Sequence, residues 1–314
     1  MVERVPARFE VLDERFAGTG GDRWMDRLFA DGRWLEGPAY HPAGRFVLFS
    51  DIPNDRVLRY DEISGRVDVF TQPAGFTNGR TVDPQGRFVT CEHGARRVTR
   101  GEHDGSVLVL ADTYEGNRLN SPNDVVVDSA GSIWFTDPTY GIGSDYEGHQ
   151  ASPELGSNNV YRFDPGTGDL RAVVTDFAQP NGLAFAPDEQ RLFVVDSERH
   201  HIRVFDVVDQ QTLTGGEVFA THDQGYDGIR FDHLGRLWGA AHDGLHCLHP
   251  DGSLIGKLQV PEIVANLAFG GQQRNHLYLT ATTSLYSLRV NFRAADYQPR
   301  AESSQSRMVR PTPD

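Results

Sequence analysis

The stretch SPNDVVVDSAGSIWFTD, residues 121–137, sets a Pro-Asn-Asp corner directly before an apolar run and ends on aspartate. A close rhyme follows at QPNGLAFAPDEQRLFVVD, residues 179–196. Both begin with Pro-Asn, pass through a strand-like run, turn at a small or polar cluster, and return to Asp. Aligning the corner residue extends the rhyme to six segments. They start at Glu36 (EGPAYHPAGRFVLFSD), Asn78 (NGRTVDPQGRFVTCE), Asn123, Asn181, Asp227 (DGIRFDHLGRLWGAA) and Asn266 (NLAFGGQQRNHLYLTA). Successive corners lie 42, 45, 58, 46 and 39 residues apart. Only the third interval is out of line. It holds a polar, glycine-bearing insertion, PTYGIGSDYEGHQASPELGSNN, after Asp137.

Each segment reads as strand, tight turn, strand. β-Branched and aromatic residues dominate the runs, and DPQG, DSAG, APDE and DHLG supply turn residues between them. Further strands are expected at 56–61, 65–70, 159–164, 201–206, 244–249 and 284–289, so each unit has room for about four. Repeats of roughly 40–50 residues with four strands each are propeller blades. The expected fold is all-β: a six-bladed β-propeller with four-stranded blades around a central channel. The competing reading is a β-sandwich or two unrelated β domains. The joint recurrence of corner, turn and second strand argues against it. Residues 1–300 are expected to form a single propeller, with core repeats over 30–290. Residues 8–16, RFEVLDERF, are expected to supply the outer strand of the last blade. Residues 301–314 read as a mobile polar tail.

Composition narrows the function. Across 314 residues, 30 basic against 44 acidic side chains leave a net charge of −14. That argues against nucleic-acid and anionic-membrane partners, which need basic surface. The first residues have no signal-peptide core, and no apolar run approaches a membrane span. Cys91 and Cys247 are the two cysteines, too few for a disulfide scaffold. A cytoplasmic setting is expected.

In a propeller the first strand of each blade lines the channel. Residues at its start therefore ring one mouth, and an antiparallel second strand returns there. Two sets follow. The corner set is Glu36, Asn78, Asn123, Asn181, Asp227 and Asn266; the return set is Asp51, Glu92, Asp137 and Asp196. All are oxygen-bearing, as a hard cation requires. Glu36 and Asp227 would balance a divalent charge, and Asn amide oxygens would fill further positions. Asn-Gly and Asp-Gly are also ordinary turn formers, and for Asn78 and Asn266 that reading is the stronger. His242, His246, Cys247 and His249 offer imaginable zinc ligands, but His246 and Cys247 point to opposite faces of a strand. No nucleophile elbow, P-loop or dinucleotide fingerprint occurs. CEHGARR, residues 91–97, ends a return strand near the mouth, which makes His93 a candidate substrate contact.

Glu36-Gly-Pro, Pro122-Asn123-Asp124, Pro180-Asn181-Gly182 and Tyr226-Asp227-Gly228, in this order, resemble the gluconolactonase/regucalcin/luciferin-regenerating-enzyme family. TNGRTVDPQGRFVTCEHGARRVTR is most similar to its bacterial gluconolactonase branch. The resemblance implies one divalent metal in the channel mouth, Ca2+ first, with Mg2+, Mn2+ or Zn2+ as alternatives. It implies Glu36, Asn181 and Asp227 as metal ligands, and Asn123 as a contact to metal, substrate or both. It further implies Asp227 as proton acceptor, with Asp137 a second acidic candidate. Regucalcin-like members carry arginine two positions before the Asn that matches Asn123; here Ser121 stands there. Substrate contacts are therefore sought at Asn78, His93, Arg96 and the 138–158 insertion, a candidate lid. The expected activity is metal-dependent opening of sugar lactones such as gluconolactone. The alternatives are a phosphotriesterase or fluorophosphatase on the same metal, or a non-catalytic calcium- or protein-binding propeller.

Overall fold

A computed structural model describes residues 2–296. Six antiparallel sheets surround a channel; four hold four strands in sequence order, and the last two hold five strands each, with N-terminal strands at their outer edges. The corner strands are Leu35–His41, Thr77–Val82, Val125–Val127, Pro180–Phe185, Ile229–Phe231 and Val264–Gly270. The strands expected from sequence are found within two residues of their predicted limits: Arg56–Asp61, Arg66–Thr71, Asn158–Asp164, His201–Val208, Gly244–Leu248 and Leu285–Arg289. Among the described residues, helix is confined to one turn at Tyr140–Gly143 and two short 3-10 segments. The expected tail, 301–314, lies outside the described residues.

Three of the hairpins between first and second strands share one device. In DPQG, DSAG and DHLG the leading Asp folds its carboxylate over the turn. Asp128 Oδ1 accepts the N–H groups of Ala130 and Ser132, and Asp232 Oδ1 accepts those of Leu234 and Arg236. The second oxygen then takes the indole N–H of a buried tryptophan, Trp134 at 3.0 Å and Trp238 at 2.8 Å. Each buried indole thus has the partner it needs.

The core is divided among the interfaces between blades. One cluster joins Leu183, Phe185 and Val194 of the fourth blade to Trp134 and Val160 of the third. Another joins the fifth and sixth blades and takes in Phe16 and Met25.

Closure differs from expectation. The fourth strand of the last blade is Trp24–Phe29, which pairs with Leu285–Arg289, and Glu3–Pro6 pairs outside it as a fifth. Arg8–Val11 instead adds a fifth strand to the preceding blade, beside Leu254–Gln259, and Glu14–Phe16 is a 3-10 turn. The physical reason is order along the chain. Trp24–Phe29 immediately precedes the first corner strand, so it reaches the last blade's edge directly, with Met25 buried there.

Near the axis the corner strands meet almost backbone to backbone. A Cβ on Gly79 would lie 2.4 Å from the Asn123 carbonyl oxygen, and one on Gly182 would lie 2.3 Å from that of Asp227. Gly79 N–H donates to that Asn123 carbonyl at 2.8 Å. The Gly after a corner is therefore a close-approach residue between adjacent blades. Gly182→Ala is expected to lose about 1–3 kcal/mol in a denaturant titration, since the obstruction is backbone and cannot rotate away.

Candidate functional site

The corner side chains converge. Glu36, Asn78, Asn123, Asn181 and Asp227 line a cavity of about 380 Å3 at one mouth of the channel. A chain of amides runs around it. Asn78 Nδ2 donates to Asn123 Oδ1 at 2.6 Å, Asn123 Nδ2 to Asn181 Oδ1 at 2.6 Å, and Asn181 Nδ2 to Ser197 Oγ at 3.0 Å. Each accepting oxygen keeps a second lone pair. Asn266 stands behind the wall and donates to Glu36 Oε2 at 3.2 Å; the Gly37 N–H reaches the same oxygen at 2.7 Å.

The two corner carboxylates are electrostatically strained. Burial, reinforced by the neighbouring charge of Asp124, pushes Glu36 up to about 7. Burial and the charges of Glu36, Asp124 and Glu147 push Asp227 well above the usual carboxylate range. Among the described residues, no cationic side chain pairs with either group. Beneath them Arg230 approaches Asp124 at 3.4 Å. Arg80, fully buried, spends its donors on the Gly37 carbonyl and the Ser50 and Thr77 hydroxyls.

This donor set fits a hard divalent cation. It offers two carboxylates that repel each other, amide oxygens with free lone pairs, and no sulfur. Asn78 Oδ1 is buried without a partner, an unmet acceptor in the same wall. Glu36, Asn181 and Asp227, with Asn123, are the residues that would hold such an ion.

The remaining expected site residues are placed elsewhere. Asp137 is fully buried outside the cavity lining, where Oδ2 accepts the Asn120 N–H at 2.8 Å; burial pushes it up to about 7. The two other return aspartates behave alike, whereas Glu92 takes the Arg97 side chain and the Thr99 hydroxyl, both at 2.8 Å. Asp51 accepts the Arg33 N–H at 3.0 Å, and Asp196 accepts the Ala178 N–H at 2.9 Å. In these three blades the donor lies three residues before the corner, so the return aspartates brace the loops that deliver the corners. Arg96 also faces away from the cavity. It binds the carbonyls of Leu119 and Asn120 and pairs with Glu154 at 3.0 Å. His93 sits one layer behind the wall. Its Nδ1–H donates to the Glu147 carbonyl at 3.0 Å, which leaves Nε2 to accept from Asn78 Nδ2 at 3.4 Å. Burial lowers its pKa to about 4, so the ring is neutral.

His246 does not join Cys247. It groups with His222 and Asp243, with possible ligand atoms within 4.8 Å of one another. Lys257 already neutralises Asp243 at 2.7 Å. A larger cavity, about 720 Å3, opens at the far end of the channel among Arg45, Arg80, Arg230 and Arg274. It lacks the converging carboxylates and amides.

Sequence reasoning missed Trp34, Tyr140, Glu147, Ser197 and Tyr226 in the cavity wall. Tyr140 and Glu147 lie in the insertion, whose position was visible as the irregular repeat interval. The Tyr140 hydroxyl lies against Ser197 and Asn181.

Fold and site together define a six-bladed propeller with an oxygen-lined centre in its channel mouth. The chain matches the SMP-30/gluconolactonase/LRE-like region over residues 34–283 and belongs to that family. It is similar to a gluconolactonase of Zymomonas mobilis, 30% identical over 85% of this chain and 81% of that one. A pentonolactonase of Haloferax volcanii is 27% identical over 78% of this chain and 80% of its own length. Among solved structures, a gluconolactonase from Xanthomonas campestris aligns with a TM-score of 0.85 and 37% identity, covering 92% of this chain and 96% of that one.

Protons and metal should compete for Glu36 and Asp227. In the metal-free protein both hold protons to higher pH than ordinary carboxylates, and a cation needs them ionised. Affinity for a divalent ion is therefore expected to fall as pH drops below about 7, with proton release on binding. Calorimetry at pH 6 and pH 8, in buffers of different ionisation enthalpy, checks this. More protons should leave at pH 6, and Glu36→Gln should reduce the difference.

Proposed function

We propose that this chain is a divalent-metal-dependent hydrolase that opens sugar lactones such as gluconolactone to the aldonic acid. The observation that carries the reading is the meeting of Glu36, Asn123, Asn181 and Asp227 from four blades at one small polar cavity. Family membership and the lactone-hydrolysing relatives support the substrate class. A bound divalent ion, Ca2+ in our reading, supplies Lewis-acid stabilisation of charge developing on the lactone carbonyl oxygen.

The chain's own residues supply the rest. Asp227 accepts a proton from the attacking water; it lines the cavity, whereas Asp137, the other acidic candidate, is buried outside it. The same proton is then available to the ring oxygen as the acyl C–O bond breaks, so water and lactone leave as one hydroxy acid. Asn123 stands beside Asn181 in the wall, fixed through its own amide. Asn78 continues that amide line in the wall, and neutral His93 holds it in register from behind. Asp137 and Arg96 act through the loop that presents Asn123; we assign them positioning roles.

The fluorophosphatase alternative shares the metal and the base. A squid diisopropyl-fluorophosphatase is among the relatives, 25% identical over 69% of this chain. Relative turnover of gluconolactone and an organophosphate separates the two. Chelation should abolish lactone hydrolysis, and added divalent ion should restore it. Asp227→Asn is expected to lower kcat by about 10²–10⁴, and full activity in that variant would refute the assignment. A protein indifferent to chelation and inactive on both substrates would instead support the binding-protein reading.

A further inference from the structure

Lactone opening at one mouth leaves the larger cavity, at the far end of the channel, without a role. At about 720 Å3 it has room for a molecule of metabolite size. Tyr40, Phe231 and Phe269 give it apolar walls. Its charged lining is one-sided: Arg45, Arg80, Arg230 and Arg274 accompany a single carboxylate, Asp83. In a chain with a net charge of −14, this concentration of cations runs against the average.

The acids near this mouth do not cancel those cations. Asp83 is held at 2.8 Å by Arg87, which lies outside the lining. Glu62 pairs with Arg45 at 3.4 Å, and Asp296 with Arg274 at 2.5 Å. Those two exposed pairs balance the rim and leave the two inner arginines. Among the described residues Arg80 has no acid beside it, only the Gly37 carbonyl and the Ser50 and Thr77 hydroxyls. Burial pushes it down to about 10. Arg230 reaches Asp124 through Nη1 alone, at 3.4 Å, and shares that nitrogen with the carbonyls of Ile229 and Leu183. Its Nε and Nη2 take no acceptor among the described residues. These two nitrogens form one planar edge of the guanidinium, the edge that matches two oxygens of a single oxyanion. Left unpaired in a half-buried wall, such an edge works against folding, and a bound anion relieves it.

We propose that the far cavity binds a small organic phosphate monoester. Its phosphate sits on the free edge of Arg230, with the buried charge of Arg80 in the same cavity, and its organic part lies against Phe231 and Phe269. Two inner guanidinium groups favour a dianion over a monoanion. The cavity is far larger than inorganic phosphate, and its apolar walls have nothing to offer the free ion.

The test is calorimetry on the full chain loaded with Ca2+, with glucose 6-phosphate, inorganic phosphate and glucose as probes. Glucose 6-phosphate should bind at submillimolar concentration, inorganic phosphate more weakly, and glucose should release no heat. Arg230→Lys keeps the charge and loses the fork; it should weaken the ester about 10-fold, and Arg230→Gln about 10–100-fold. Arg45→Gln, on the rim, should weaken it about 2–5-fold. Thermal melting checks that each variant folds. Wild-type affinity in Arg230→Gln overturns the proposal, as does failure of glucose 6-phosphate to bind. Should Arg230→Gln not fold, wild-type affinity in both Arg230→Lys and Arg45→Gln overturns it instead. Equal affinity for inorganic phosphate overturns the assignment to an organic ester. Binding that Asp227→Asn abolishes and Arg230→Gln spares places the phosphate on the ion at the other mouth, and overturns it also.

Discussion

The closeness of the six corner strands at the axis sets the terms for everything else in this molecule. Where the backbone of one blade rests on that of the next, no Cβ fits, and Gly79 and Gly182 occupy such contacts. This spacing brings Asn78, Asn123 and Asn181 within hydrogen-bonding distance of one another, although each lies in a separate repeat. The amide line is thus a product of the architecture. Looser packing at the axis would leave three solvated side chains with no common direction.

Upon this frame sits an electrostatic imbalance. Glu36 and Asp227 lie in a setting that burial makes hostile to charge, with Asp124 below adding to it. The guanidinium groups of Arg80 and Arg230 lie deeper and are occupied by carbonyls, hydroxyls and Asp124. The protein thus separates its fixed cations from the mouth. A mobile divalent ion can compensate there because the built-in positive charge does not.

Much of this was legible in the sequence. The corner repeat located the six first strands, and turn residues with β-branched runs located most of the others. The convergence of Glu36, Asn123, Asn181 and Asp227 followed from applying propeller geometry to repeat spacing. Ring closure was harder to read. Arg8–Val11 and Trp24–Phe29 have similar apolar character, and only three-dimensional reach decides which edge each one joins. The return aspartates misled for another reason. Antiparallel pairing does bring Asp137 back towards the mouth, but a loop N–H claims its oxygen first. Arg96 is the same case, drawn to carbonyl oxygens of residues 119 and 120. Glu147 lay beyond reach because an irregular insertion has no periodicity from which side-chain direction can be inferred.

The pairing of Trp24–Phe29 with Leu285–Arg289 has a kinetic side. Segments separated by most of the polypeptide must find each other before the circle exists, and such distant encounters are slow. Glu36 belongs to the first blade and Asp227 to the fifth, so their juxtaposition is a late event in assembly. During synthesis, early blades must persist as an open arc with one flank uncovered. Such an arc is a natural client for chaperones and a starting point for aggregation.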